Sequence, residues 1–168
     1  MSETGIGTLL MPDPRMKGWS FHGLGGPSQP PASWSAAILE IALSERVPQD
    51  IRSLFDRAKT AAAYGPYAYE LFTLAMEEVQ RVKDAALLVA CEKQGAPKNA
   101  TGTYQKRISW AVKNGLIGPD AEVRWEAGRW LRNHGSHKVQ PNLLGPNDAL
   151  NMFGTAKILI DALYEPSA

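Results

Sequence analysis

The sequence predicts an all-α domain, an antiparallel helical bundle preceded by an irregular N-terminal tail. Three observations carry this. Eleven of the 15 glycines and 12 prolines fall within residues 1–31, including Gly23-Leu24-Gly25-Gly26-Pro27 and Pro30-Pro31, so that stretch is expected to hold no regular structure. From Ala32 onward the prolines stand singly at 48, 66, 97, 119, 141, 146 and 166, as punctuation. The intervals between them are rich in helix formers and carry few β-branched clusters. The tail is therefore taken as residues 1–32 and the helical domain as 33–168.

Caps and breakers divide the domain into six helices. The first covers 33–45. The second covers 48–64, opening on a proline suited to a first turn and ending at Gly65. The third is long, 66–94, followed by Gly95. A fourth covers 103–114 before Gly115, a fifth 119–134 before Gly135, and a sixth 147–164. Short connections favour antiparallel neighbours. In the third helix Ala68, Phe72, Ala75, Val79, Val82, Ala86 and Ala90 recur at three- and four-residue steps, with Leu71, Ala85 and Val89 widening the face. This marks it as the central element. Glu78 falls inside the widened sector and Glu77 outside it, so Glu78 either reaches solvent at the edge or is partly buried beside a cation.

Composition narrows the function classes. Eighteen Lys+Arg against seventeen Asp+Glu give a formal charge of +1, so any contact with a polyanion has to be local. One cysteine, Cys91, rules out an internal disulfide framework and a cysteine-based zinc site, fits the cytoplasm, and reads as a small buried hydrophobe. The longest apolar run, 85–91, is far below the roughly 20 residues of a spanning helix, so no membrane partner is expected. Gly23 to Gly26 lacks the Gly-Lys-Ser/Thr of a phosphate-binding loop. In the tail, Trp19 and Phe21, with Trp34 after it, would gain from burial against the bundle.

The densest polar cluster is Arg129-Trp130-Leu131-Arg132-Asn133-His134-Gly135-Ser136-His137. On a helical wheel Val123, Ala127, Trp130 and Leu131 share one face, continued by His134, while Trp125, Arg129 and Arg132 share the opposite one. The first face is expected to be buried and the second to point outward. Arginines near a helix C-terminus have a structural use, since they favour the dipole. Gly135 permits a turn that brings His137 back towards Arg132, and a histidine beside a guanidinium suits phosphate chemistry. His134 and His137 have metal-ligand spacing, but no carboxylate or cysteine nearby completes a set, so neither a metal nor another cofactor is expected.

Arg132-Asn133-His134-Gly135-Ser136-His137 resembles the R-N-x-x-x-H form of the motif of the HEPN superfamily, the higher eukaryote and prokaryote nucleotide-binding helical domains. Residues 47–164 resemble one bacterial branch of unknown function met in defence and mobile-element contexts. Val47-Pro48-Gln49-Asp50-Ile51 is similar to its L-P-x-D-I opening, Tyr64-Gly65-Pro66-Tyr67-Ala68 to its x-G-x-Y-x-A turn, and Ala75-Met76-Glu77 to its A-L-E. Thr73 and Leu74 stand where that branch usually has an arginine, and Arg132 where it often has glycine, which brings the chain closer to the nuclease form. The resemblance implies a HEPN-like bundle acting as a metal-independent ribonuclease at a homodimer interface. His137 would be the general base or acid, Arg132 would stabilise transition-state charge, and Asn133 would orient the backbone or substrate. Trp125, Arg129, His134 and Glu78 would belong to the interface or the substrate surface. A non-catalytic HEPN-like module binding a nucleotide, an RNA or a protein partner is the alternative.

Overall fold

A computed structural model describes residues 11–16, 31–135 and 145–165, with the backbone alone for 31–32 and 128–135. These residues form α1 (Pro31–Glu40), α2 (Gln49–Ala63), α3 (Glu70–Lys93), α4 (Lys98–Thr101), α5 (Tyr104–Lys113), α6 (Pro119–Gly135) and α7 (Pro146–Ala162), and among them there is no strand. The expected all-helical class is observed. Among the described residues no helix is long and apolar enough to cross a membrane.

α3 is the central element, packed against α2, α4, α5, α6 and α7. Its predicted face is buried at Phe72, Ala75, Val79, Val82, Ala86 and Ala90. Around this face the core is aromatic. Trp34 of α1 meets Phe72 edge-on at 4.9 Å between centroids, and Phe55 of α2 meets Phe153 of α7 at 5.4 Å. Such pairs add about 0.5–1.5 kcal/mol beyond the area they bury. The Trp34 indole also donates to the Pro146 carbonyl at the start of α7, and the Tyr164 hydroxyl just beyond α7 donates to the Ala86 carbonyl. Since Phe72 lies near the start of α3 and Ala86 in its second half, α7 runs in the same sense as α3.

Helix ends differ from expectation where tertiary contacts capture the backbone. α1 stops at Glu40, five residues early, because Lys59 Nζ takes the Ile41 carbonyl and Asp161 accepts the Ser44 N–H. α3 starts at Glu70 and not at residue 66, because residues 64–69 fold into successive turns and Pro66 gives its carbonyl to the Asp13 N–H. α4 escaped the sequence reading, being a single turn after Pro97. Gly65 is needed for closeness, not for a left-handed cap: a Cβ there would lie 2.4 Å from the Phe72 ring. Gly115, by contrast, does close α5 at φ 73°.

Among the described residues of the predicted tail, Pro31 and Ala32 already belong to α1, and one further piece is regular. Pro14–Met16 forms a 3-10 turn, because Asp13 accepts the Arg15 N–H through its carboxylate and the Met16 N–H through its carbonyl. Arg15 reaches Glu70 at 2.7 Å and lies over the Tyr69 ring, which fixes the turn at the entrance to α3. The Arg15 guanidinium holds the Asp13 carboxyl far below the usual carboxylate range. Trp19 and Phe21 lie outside the described residues.

Candidate functional site

α6 carries most of the predicted site. Pro119 opens it, Asp120 and Glu122 favour its positive end, and the helix continues through Arg129, Arg132, Asn133 and His134 to Gly135. The side chains of those four residues, and all of His137, lie outside the described residues. The described atoms therefore bring none of the five together.

Trp125 corrects the predicted orientation over the part of α6 whose side chains are described. Its side chain is 1% exposed, whereas Val123 is 72% exposed and Ala127 is also exposed. Over the first turns of α6, where side chains are described, one indole buries more surface than a valine and an alanine, and it has a receptive surface in α3 and α5. The Tyr104 ring of α5 lies 6.4 Å from it, and the Tyr104 hydroxyl donates to the Trp125 carbonyl. Trp125 thus belongs to the core of its own chain and not to an outward stripe available for pairing.

The sequence reading also missed the polar groups beneath α6. Met76, Gln80, Lys83 and Leu87 form a second buried stripe on α3 at helical spacing. Lys83 is 3% exposed, and its ammonium sits over the Trp125 ring, 5.2 Å from the centroid. That cation–π contact holds the ammonium in place, and burial lowers its pKa to about 8. A buried amine whose pKa is pulled down by its surroundings is a recognised kind of functional-site candidate. One turn away Arg107 of α5 is held more conventionally. Its Nε donates to Asp84 at 3.0 Å, a second nitrogen binds the same carboxylate, and a third donates to the Thr101 carbonyl. Cys91, fully buried as expected, has its thiol pKa raised to about 11 by burial.

Glu78 resolves its two alternatives in favour of partial burial. Its side chain is 22% exposed and pairs with Arg57 at 2.7 Å and Arg81 at 3.2 Å, while Glu77 is exposed. Among the described residues no three His, Cys, Asp or Glu side chains gather as metal ligands do. Comparison of the chain with protein-family models, with curated proteins and with solved structures finds no match.

Proposed function

We propose that this chain is a HEPN-like helical domain that cleaves RNA without a metal ion, using Arg132 and His137. The observation that carries the reading is the R-N-x-x-x-H sequence itself. In support, α6 runs unbroken through Arg132 and Asn133 and ends at Gly135, so the spacing after the arginine coincides with a helix end in an all-helical domain built on one long central helix. A helix end with an arginine and a histidine offers a fixed guanidinium fork and a group that titrates near neutrality.

In the proposed step a ribose 2′-oxygen attacks the adjacent phosphorus and the bond from phosphorus to the 5′-oxygen breaks. His137 takes the 2′-hydroxyl proton or supplies a proton to the leaving 5′-oxygen, Arg132 neutralises charge on the phosphorane-like transition state, and Asn133 orients the strand. The products are a 2′,3′-cyclic phosphate and a 5′-hydroxyl. A homodimer would bring a second copy of the motif to the other side of the phosphate. With Trp125 committed to its own core, such pairing has to draw on other residues.

Incubating purified wild type and His137→Ala with mixed-sequence RNA in EDTA tests the reading. Cleavage by the wild type and loss of at least about a hundredfold in the variant are expected, the usual scale for removal of a general acid or base. Equal traces from the two proteins would overturn it. Light scattering at tens of micromolar is expected to give a dimer mass, and a monomer that still cuts would remove the two-fold arrangement while leaving the chemistry.

A further inference from the structure

The outer face of α5 carries a basic and aromatic strip that the motif on α6 does not use. Lys106, Trp110 and Lys113 stand at i, i+4 and i+7 on that helix, along one face and about 10 Å from end to end. They line an open cleft of about 390 Å³ together with Ser109 and Gln105 of α5 and Asn99 of α4. The size falls within the usual range for ligand sites. No residue lining this cleft is acidic. Both lysines are exposed and Trp110 is half-buried, so the indole is anchored while part of its ring borders the cleft.

We propose that this strip binds a single-stranded nucleic acid, with a base stacked against Trp110 and Lys106 and Lys113 holding phosphates on either side. Three features favour that occupant. An indole flanked by two cations matches the alternation of base and phosphate along a strand, and stacking on it is tolerant of sequence. The amide and hydroxyl groups of Asn99 and Ser109 meet polar base edges at little desolvation cost. The two lysines also make the positive charge at this cleft local, as a chain of formal charge +1 requires of any polyanion site. Trp110 borders a second cleft of about 380 Å³, but Glu165 lines that one, so a strand is expected to lie on the lysine side. Phosphate and base make the contacts, so ribose and deoxyribose strands are equivalent ligands, and the proposal does not depend on whether the chain cuts RNA.

Fluorescence anisotropy with short labelled strands of 2′-O-methyl RNA, which resists cleavage by 2′-hydroxyl attack, and of DNA tests this on the intact protein. Both strands are expected to bind with similar affinity at about 50 mM salt, and more tightly than a duplex whose bases are stacked away. Lys106→Glu with Lys113→Glu is expected to weaken binding at least tenfold and to lower the slope of log affinity against log salt by about 1.4, at about 0.7 for each lost contact on a single strand. Trp110→Leu is expected to lose about tenfold and Trp110→Phe to retain most of the affinity, with unchanged circular dichroism showing that both fold. Failure of the wild type to bind either strand would overturn the proposal. So would binding left intact by the double charge reversal, or equally tight binding of polyglutamate that is indifferent to Trp110.

Discussion

The two sides of α3 solve the same packing problem in different ways. Towards α1, α2 and α7 the helix is covered by hydrocarbon, with Phe72 against Trp34 and Phe55 against Phe153 nearby. Towards α5 and α6 it buries Gln80 and Lys83 and sends Asp84 to meet Arg107. The first side is stabilised in proportion to area. The second depends on how each polar head is accommodated, and there the two cations diverge: Arg107 has carboxylate and carbonyl partners, whereas Lys83 has an aromatic face. Lys59 gives the conventional answer for a buried lysine, with the Ile41 carbonyl at 2.8 Å and Asp56 at 3.0 Å. Among the described residues charged groups are buried on both sides, but only towards α5 and α6 does a buried lysine rest on an aromatic face, and each of the following measurements probes that asymmetry.

The largest effect is expected on the apolar side. Gly65→Ala drives a methyl group into the Phe72 ring, which is fully buried and has no room to withdraw. We expect a loss of about 3 kcal/mol, at the upper end for overpacking, and a fall of roughly 10 °C in melting temperature. A change below about 1 kcal/mol would show that this side yields. On the polar side Arg107→Met leaves Asp84 and the Thr101 carbonyl without their guanidinium donors, and denaturant titration should read a loss of about 2 kcal/mol.

Lys83→Met should have the opposite sign. The folded pKa of Lys83 lies near 8, below the ordinary 10.5, so the folded state disfavours its charged form. That penalty is fully present below about pH 8 and is relieved as pH rises towards 10.5, because the unfolded chain binds more protons in that window. The variant is expected to gain about 2 kcal/mol at pH 7, the desolvation penalty less a cation–π contact. Cys91 works in reverse. Its thiol is raised from 9.0 to about 11 by burial, so stability is lost as pH rises through that range, and Tyr164, raised from 10.0 to about 12, adds to the loss. Wild-type stability should therefore rise from pH 8 to 9, level off, and fall above 10. Urea midpoints across this range should lose the early rise in Lys83→Met and keep the fall. A profile unchanged by the substitution would mean that Lys83 titrates as an exposed lysine does. The smallest effect belongs to Glu78→Gln, whose two arginine partners are exposed, at no more than about 1 kcal/mol and weaker in high salt.

What could be read from the residues follows the same division. The predicted face of α3, the ends of α2, α5 and α6, and the burial of Cys91 and Trp34 follow from periodicity, glycine stops and side-chain polarity, all local properties. The end of α1 and the start of α3 were set by partners distant in sequence, Asp161, Lys59 and Asp13, which no local rule contains. The second stripe of α3 escaped notice because Gln80 and Lys83 score as solvent-facing while their stems pack as hydrocarbon. At the start of α6 the burial of Trp125 in place of Val123 and Ala127 is set by Tyr104 and Lys83, partners distant in sequence. For the site, the R-N-x-x-x-H spacing was legible and its arrival at the end of α6 agrees with the predicted helix, whereas the Lys106–Trp110–Lys113 strip signals its cleft only once α4 is folded beside it.

The central claim, that Arg132 and His137 promote attack by a ribose hydroxyl, is tested most directly by the chemistry of the cut ends. Mass spectrometry of RNA fragments produced in chelator should find 5′ fragments terminating in a 2′,3′-cyclic phosphate, with 5′-hydroxyl ends on their counterparts. Fragments ending in a 3′-hydroxyl opposite a 5′-phosphate, or intact RNA after prolonged incubation, would contradict it.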